Sequence, residues 1–292
     1  MPASSPFIAV DWGTTNRRAF VIDNGVVMQT ERDTRGAAAV AQAEYPAEVA
    51  GIRARLGDLP MLLAGMVGST IGWRDVPYVA APAGLDALAG ALAWIDDRTA
   101  IVPGLVYRAG ARADVMRGEE VQLLGAAAAG MTPDTALLCQ PGTHCKWALL
   151  EDTRITSFVT AMTGELFALL RGGGLLARQL GGAVTDGAAF QDGVTEGAKR
   201  DLAASLFGIR ASGVLGLRDD ADAASYASGV LIGSDVAARL AEHTGQAVHI
   251  LADPGLGALY AAAVTALGGT ATIIDSHGAF VAGITRLREL SA

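Results

Sequence analysis

Two stretches of this chain, residues 7–23 and 136–152, share one pattern, and an internal repeat constrains the architecture more than any other feature. Each stretch reads as an apolar strand, a turn containing Gly-Thr, a second apolar strand and an acidic turn. Aligned without gaps, the two stretches place Gly13 on Gly142, Thr14 on Thr143, Arg17 on Lys146, Ala19 on Ala148 and Asp23 on Asp152. The repeat predicts two similar lobes whose turns face each other across a cleft.

Both Gly-Thr turns are candidates for anion binding. Small turn residues let backbone N–H groups approach a phosphate closely, which points to Gly13, Thr14 and Thr15 in the first turn. Asp11 ends the first strand, where a carboxylate could meet a hydrated cation carried by that anion. By shape alone an ordinary hairpin with a capped turn explains the first stretch equally well. Its repetition favours phosphate binding, with Gly142 and Thr143 forming the second turn.

Composition narrows the classes of function. The 292 residues suffice for one large domain or two ordinary ones, and 51% hydrophobic against 18% charged residues predicts a substantial core. A formal charge of −8 without any Lys/Arg run argues against nucleic acid and anionic membranes as partners. Two cysteines, no signal-peptide pattern and no membrane-length apolar run predict a cytoplasmic protein. The alanine-rich apolar composition is compatible with a homodimer.

Two further motifs could line a pocket. Residues 65–73 form a glycine-rich loop that carries Ser69 and Trp73 and follows an apolar strand, a position typical of ligand pockets in α/β sheets and also of plain connectors. Glu119 and Glu120 open a helix after Arg117-Gly118, where acidic residues also favour the helix dipole. Adjacent carboxylates do not share one helix face, so at most one of them is expected to point into a cleft.

The second turn carries His144, for which hydrogen bonding within the loop is expected rather than proton transfer. Thr163 and Glu165 fit a capping arrangement at the start of a later helix. Strands alternating with helices indicate α/β layering. The predicted helices are 46–56, 84–95, 121–129, 163–170, 187–206, 222–243, 259–267 and 279–290, and the strands outside the repeats are 61–64, 99–102, 157–161, 248–252 and 271–274.

Several ordered motifs together resemble the 2-dehydro-3-deoxygalactonokinase family over nearly the whole chain. They are Asp11-Trp-Gly-Thr-Thr-Asn-Arg17, Ala64-Gly-Met-Val-Gly-Ser69 with Gly72-Trp73, Val115-Met-Arg-Gly-Glu-Glu-Val-Gln-Leu123, Pro141-Gly-Thr-His-Cys-Lys-Trp147, Met162-Thr-Gly-Glu165 and Arg210-Ala-Ser212. The resemblance implies an α/β fold of two ribonuclease H-like lobes, the actin-like ATPase superfold, with ATP and substrate in the cleft between them. The lobes would comprise residues 1–115 and 116–292, with the closing helix 279–290 packing back on the first.

The same resemblance implies transfer of the ATP γ-phosphoryl group to the 6-hydroxyl of 2-dehydro-3-deoxy-D-galactonate. Asp11 would then hold Mg²⁺ through water, and Glu119 or Glu120 would be the general base. The wider superfamily has aspartate where this chain has Glu119, so the choice between the two stays open. The other implied contacts are Gly13, Thr14, Thr15, Gly142 and Thr143 with phosphate, Gly255 or Gly257 with adenine, and Arg17, Ser69, Trp73, Arg117 and Lys146 with substrate.

Arg17 is the first candidate for the substrate carboxylate, because a planar guanidinium suits a carboxylate, and Arg117 and Lys146 follow. Two alternatives stay open. One is a kinase for another sugar acid, such as 2-dehydro-3-deoxygluconate. The other is a non-catalytic ATP-binding member of the same superfold.

Overall fold

The computed structural model describes residues 5–291, which form two compact units. Unit 1 comprises the chain up to residue 135 together with residues 149–158 and the segment from residue 276 onward, and unit 2 comprises residues 136–148 and 159–275. Residues 116–135, which lie beyond the predicted boundary at residue 115, are counted with unit 1, and so is the closing helix, which was expected to pack back on the first lobe.

The strands are β1 (Phe7–Trp12), β2 (Arg17–Asp23), β3 (Val26–Asp33), β4 (Met61–Gly65), β5 (Val79–Ala80), β6 (Ala93–Asp96), β7 (Thr99–Ile101), β8 (Leu105–Ala109), β9 (Arg112–Met116), β10 (Ala136–Gln140), β11 (Cys145–Glu151), β12 (Arg154–Ala161), β13 (Val248–Ala252) and β14 (Ala271–Asp275). The helices are α1 (Tyr45–Leu56), α2 (Leu85–Gly90), α3 (Glu119–Ala128), α4 (Thr163–Gly172), α5 (Ala188–Gly197), α6 (Leu202–Val214), α7 (Asp220–Glu242), α8 (Pro254–Ala266) and α9 (Ser276–Leu290). Among residues 5–291, no helix combines the length and apolar character needed to cross a membrane.

The main sheet of unit 1 has the strand order β3-β2-β1-β4-β7-β6, and β5, β8 and β9 form a small second sheet. In α1, Tyr45, Val49 and Ile52 recur at helical spacing and pack in one core cluster with Ile8 and Val10 of β1. Because β1 and β4 run parallel, their carboxyl ends meet at the same edge of the sheet. The loops that follow these two strands are thereby brought together.

The sheet of unit 2 has the strand order β12-β11-β10-β13-β14, which reproduces the order β3-β2-β1-β4-β7 of unit 1. Strands β11 and β12 continue into residues 149–158, which are counted with unit 1. An offset of 129 residues superposes β1, β2 and β3 on β10, β11 and β12 to within about one residue at most ends. The predicted internal repeat is confirmed and extends to a third strand.

Helix α3 is fixed in unit 1 by an unusually close contact with α9. A Cβ atom built on Gly125 would lie 2.0 Å from the carbonyl oxygen of Ala279, and one on Gly283 would lie 2.1 Å from that of Val121. Only glycine permits two helix backbones to approach so closely. This packing holds the first turn of α3, which carries both candidate carboxylates, in a defined place.

Several sequence predictions are corrected by the structure. Residues 84–95 are not one helix, because α2 ends at Gly90 and the β-prone residues that follow form β6, antiparallel to β7. Residues 187–206 divide into α5 and α6 at Arg200, whose φ of 62° interrupts the helix. The predicted helix 259–267 begins earlier, because Pro254 suits a first helical position.

Candidate functional site

Three segments of unit 1 converge at the carboxyl edge of its main sheet: the end of β1, the end of β4 and the start of α3. Gly65 has a φ of 92°, and a Cβ on it would lie 2.6 Å from the carbonyl oxygen of Trp12. Gly118 has a φ of 108°, and a Cβ on it would lie 3.1 Å from the Cα atom of Gly65. Both positions therefore require glycine for conformation and for space.

Two carboxyl groups share this edge. Asp11 is paired with Arg18 across the β1–β2 ladder and is only partly exposed. Burial raises the pKa of Asp11 to about 6, the charge of Arg18 lowers it, and the negative charge of Glu119 raises it further. Asp11 precedes Trp12 at the end of β1 and Glu119 follows Gly118 at the start of α3, so the close approach of Gly65 to both Trp12 and Gly118 brings the two carboxylates to the same edge. An excess of negative charge at this edge is the arrangement that a bound cation stabilises.

Glu119 and Glu120 have different surroundings, as expected for adjacent helical residues. Glu120 is fully buried, and its two carboxyl oxygens accept hydrogen bonds from the N–H of Gly118 at 2.9 and 2.7 Å. Burial, followed by the charge of Glu119, raises the pKa of Glu120 to about 8. Glu119 is partly exposed and accepts a hydrogen bond from the N–H of Arg117 at 3.1 Å. Glu120 is thus an internal cap, and Glu119 is the carboxylate that reaches the surface.

The first Gly-Thr turn is braced by residues 36–38. The N–H groups of Gly36, Ala37 and Ala38 donate to the carbonyl oxygens of Thr15, Gly13 and Thr14 at 3.1, 2.9 and 3.0 Å respectively. The side chains of Thr14 and Thr15 are exposed. These three hydrogen bonds use only the carbonyl oxygens of the turn, so the N–H groups of Thr14 and Thr15 take no part in them. The turn is rigid and presents small residues to solvent.

Arg17 is buried in a set of internal contacts. Its guanidinium donates to Asp33 Oδ2 at 2.6 Å and to Glu48 Oε2 at 2.8 Å, and lies 4.7 Å above the Trp12 ring. Only 3% of the residue is exposed. Its two carboxylate partners come from β3 and α1, so the contacts of Arg17 join three elements of unit 1.

Arg117 is also buried, but its hydrogen bonding is incomplete. Its Nη2 donates to the carbonyl oxygen of Val76 at 2.7 Å, and the guanidinium lies 4.2 Å from the centre of the Tyr78 ring. Among residues 5–291, Nε and Nη1 find no hydrogen-bond partner. A Cβ on Gly68 would lie 2.8 Å from Nη1, so the guanidinium packs directly against this glycine and a side chain there would displace it.

Ser69 and Trp73, the two candidates in the glycine-rich loop, both make contacts within unit 1. Ser69 donates its hydroxyl to the carbonyl oxygen of Met66 at 2.7 Å, which closes the short 3₁₀ turn of residues 66–68. Trp73 stacks on Tyr45 of α1 with ring centres 6.0 Å apart and an interplanar angle of 4°. Both side chains shape the loop that lies beside Gly118.

In unit 2, the second Gly-Thr turn lies directly against the start of α4. A Cβ on Gly164 would lie 2.3 Å from the carbonyl oxygen of Gly142, and the N–H of Glu165 donates to the carbonyl oxygen of Thr143 at 2.9 Å. His144 is hydrogen-bonded, but to α4 rather than within its own loop as predicted, because its Nε2 lies 2.5 Å from Glu165 Oε2. The first turn of α4 therefore holds this turn in place.

The predicted capping role of Thr163 and Glu165 was wrong, since α4 has no side-chain cap and both side chains bond elsewhere. Thr163 donates to Asp235 Oδ2 of α7 at 3.0 Å. Burial raises the pKa of Asp235, and the hydrogen bond from Thr163 lowers it. Asp235 was not predicted from the sequence. The available signal was a single acidic residue beside the apolar Ile232 and Val236, which indicates a carboxyl group on the buried side of the helix.

The remaining candidates of unit 2 lie on neighbouring strands and helices. Lys146 is buried on β11, and its Nζ donates to Thr160 Oγ1 of β12 at 2.8 Å. Gly255 and Gly257 lie in the first turns of α8 rather than in a loop. Gly255 is exposed with open space around it, whereas a Cβ on Gly257 would lie 3.2 Å from Ile273. Gly257 therefore serves helix packing, and Gly255 is the accessible one.

Comparison with known proteins places the chain in one family. The sequence model of the 2-keto-3-deoxy-galactonokinase family matches residues 11–287. A protein of Escherichia coli (strain K12) named 2-dehydro-3-deoxygalactonokinase is 35% identical over 98% of both chains. One from Rhizobium meliloti (strain 1021), named as a probable 2-dehydro-3-deoxygalactonokinase, is 36% identical over 98% of this chain and 97% of its own length.

Solved structures agree with the sequence comparison. The crystal structure of a Sinorhizobium meliloti protein assigned as a 2-dehydro-3-deoxygalactonokinase has a TM-score of 0.90 and 35% identity, covering 96% of this chain and 97% of that one. The (R)-2-hydroxyglutaryl-CoA dehydratase component A of Acidaminococcus fermentans has a TM-score of 0.54 at 12% identity, covering 99% of this chain and all of that one, which is a likeness of fold alone. The chain belongs to the 2-keto-3-deoxy-galactonokinase family.

Proposed function

We propose that this protein transfers the γ-phosphoryl group of ATP to the 6-hydroxyl of 2-dehydro-3-deoxy-D-galactonate. Family membership supports the reaction type, and the names of the relatives support the substrate. The observation that carries the proposal is the close approach of Trp12, Gly65 and Gly118, which brings the ends of β1 and β4 and the start of α3, and with them Asp11 and Glu119, to one edge. Phosphoryl transfer requires positioning and charge stabilisation more than covalent help from the protein.

Glu119 is proposed as the general base. It is the partly exposed member of the two adjacent carboxylates, and its position at the first turn of α3 is fixed by Gly118 and the α3–α9 contact. In this role Glu119 accepts the proton of the 6-hydroxyl as that oxygen attacks phosphorus. General-base assistance contributes about 10²–10⁴-fold to such reactions.

Asp11 is proposed to bind Mg²⁺ through water. Its burial at the edge that also carries a second carboxylate fits a cation. Mg²⁺ keeps several waters and is held by one or two carboxylates together with phosphate oxygens. When bound, the ion neutralises charge that develops on the transferred group. Asp11 orients the hydrated ion, and Arg18 limits the net negative charge of the edge.

The Gly-Thr turns are proposed as phosphate contacts of ATP. In the first turn, the bracing by residues 36–38 occupies the carbonyl groups and leaves the N–H groups of Thr14 and Thr15 for an anion. In the second turn, Gly142 and Thr143 are held by α4 in a comparably fixed form. Exposed Gly255, at the start of α8, is proposed to approach the adenine.

Arg117 is proposed as the partner of the substrate carboxylate. Arg17 already has two carboxylate partners, whereas two nitrogens of Arg117 have no partner among residues 5–291. A carboxylate that reaches the guanidinium would complete these hydrogen bonds in the bidentate form that arginine favours. Buried donors left without partners cost free energy, so this binding has a physical driving force.

A coupled assay of ADP release tests the proposed function. The purified protein is offered 2-dehydro-3-deoxy-D-galactonate, 2-dehydro-3-deoxygluconate and neutral sugars, each with ATP and Mg²⁺. We expect turnover with the galactonate derivative, and loss of that turnover in the Glu119→Gln variant. Preference for the gluconate derivative would assign another sugar acid as substrate. ATP binding without turnover of any compound would identify a non-catalytic member of the fold.

A further inference from the structure

Helix α6 of unit 2 presents an apolar face to solvent. Five of its positions and the residue after it lie on one side at helical spacing, and the large ones are strongly exposed: Phe207 at 64%, Val214 at 62% and Leu215 at 69%. The face is completed by Ala203, Ala204 and Ala211. A helix normally turns such a stripe towards its own core. Here the stripe points away from it.

The opposite face of α6 already has its core partners. Ile209 is buried in a cluster with Leu176, Leu180 and Ala227. Ser205, on the same side, donates to Glu196 Oε1 at 3.0 Å and to the carbonyl oxygen of Asp201 at 2.9 Å. The exposed stripe is therefore a second, separate apolar surface of the helix rather than a part of the core left incomplete.

Opposite charges flank the stripe at its two ends. Before α6 the exposed Lys199 and Arg200 outnumber the exposed Asp201, and after it the exposed Asp219 and Asp220 outnumber the half-buried Arg218. Lys199 also forms a surface ion pair with Glu196. If two copies of α6 pack antiparallel about a two-fold axis near its midpoint, the basic end of each copy meets the acidic end of the other. The alanines of the stripe permit close approach, and the large side chains supply apolar contact.

We infer that the α6 face, defined as the exposed stripe with its two charged ends, is an isologous interface between two copies of this chain. Phe207, Val214, Leu215 and the adjacent Leu217, which is 75% exposed, present roughly 300 Å² of apolar surface per copy, the size of a functional patch. When two copies pair, both apolar patches are buried, which gives about half of the roughly 1,200 Å² of total buried surface that a specific interface needs. The charged residues at the two ends form the polar rim around this apolar centre. The acidic end makes an anionic membrane a poor occupant, since membrane-binding helices carry basic flanks.

The test uses the full chain in sedimentation velocity over a range of concentrations. We expect a reversible monomer–dimer equilibrium for the natural sequence and a monomer for Phe207→Glu. Met28→Glu is the matched control, because Met28 is an equally exposed apolar residue of unit 1 and lies on β3. It should leave the dimer unchanged.

A charge-reversal pair tests the antiparallel geometry. Variant one carries Lys199→Glu with Arg200→Glu, and variant two carries Asp219→Lys with Asp220→Lys. Each alone should dimerise at least about tenfold more weakly, because like charges meet at both ends. An equimolar mixture should recover dimerisation, since each basic end then meets an acidic one. Recovery also shows that both variants are folded.

Three outcomes would overturn the inference. The first is a monomeric mass at every concentration, and the second is a dimer that Phe207→Glu and both charge variants leave intact. The third is co-sedimentation of the natural chain, but not of Phe207→Glu, with phosphatidylserine–phosphatidylcholine vesicles in place of self-association.

Discussion

Glu120 accepts hydrogen bonds from the N–H of Gly118 through both carboxyl oxygens, at 2.9 and 2.7 Å. The carboxyl group of Glu120 thereby folds back on the start of its own helix. Glu119, whose Oε2 accepts a hydrogen bond from the N–H of Arg117, is only partly buried. The two glutamates therefore differ in exposure, and the proposed general base is the partly exposed one.

We expect Glu119→Gln to lower kcat at least about a hundredfold, because the amide cannot accept the proton of the substrate hydroxyl. ATP binding, followed by isothermal titration calorimetry, should be retained. Glu120→Gln is the matched control, since an amide oxygen can still accept the hydrogen bond from Gly118. The assignment would be reversed if Glu120→Gln abolished turnover while Glu119→Gln kept it near normal.

Stability should fall as pH rises from about 4.5 to about 8. Burial raises the pKa of Glu120 to about 8, above its ordinary value of 4.5, so the folded state binds this proton more tightly than the unfolded chain. Stabilisation by the proton is fully present below pH 4.5 and is lost as pH rises through 8. Urea unfolding at several pH values measures it. Glu120→Gln should show a flatter profile, while Asp11 still contributes below its pKa of about 6.

If the wild-type and Glu120→Gln profiles were parallel across this range, Glu120 would have no raised pKa in the folded protein. Because both proteins retain Asp11 and the other titratable groups, the difference between the two profiles isolates position 120.

Asp11→Asn should abolish turnover and weaken the dependence of any residual activity on Mg²⁺. The amide keeps the size of the side chain but loses the charge that holds the hydrated cation. Titration of Mg²⁺ in the ADP-release assay is the measurement, and Asp23→Asn, at the far end of β2, is the control. An unchanged Mg²⁺ titration in Asp11→Asn would remove this residue from the cation site.

Gly164→Ala should raise the KM for ATP, because its Cβ would lie 2.3 Å from the carbonyl oxygen of Gly142 and would displace the second turn. Overpacking of this kind costs about 1–3 kcal/mol. Gly172→Ala, at the last residue of α4, is the control, since nothing lies within 4 Å of its Cβ. An unchanged KM for ATP in a folded Gly164→Ala variant would separate this turn from ATP binding.

The repeat was readable from sequence because its signal is local: apolar strands, small turns and an acidic residue recur at a fixed offset. The convergence of Gly65 and Gly118 was not readable, since it depends on parallel pairing of β1 with β4 and on the α3–α9 contact. Arg17 illustrates the same limit. Its motif suggested a ligand contact, but two distant acidic residues, Asp33 and Glu48, enclose it in the fold.

The two arginines should respond differently to conservative substitution. Arg17→Lys keeps the charge but loses the fork that joins Asp33 and Glu48, so we expect a lower melting temperature with little change in the KM for the sugar acid. Arg117→Lys removes Nε and Nη1, the nitrogens proposed to bind the substrate carboxylate, and should raise that KM at least about tenfold at unchanged KM for ATP. Steady-state kinetics with thermal unfolding of both variants measures the difference. If Arg17→Lys alone raised the KM for the sugar acid, Arg17 and not Arg117 would be the residue that binds the substrate carboxylate. Substrate binding would then have to break the ion pairs of Arg17 with Asp33 and Glu48.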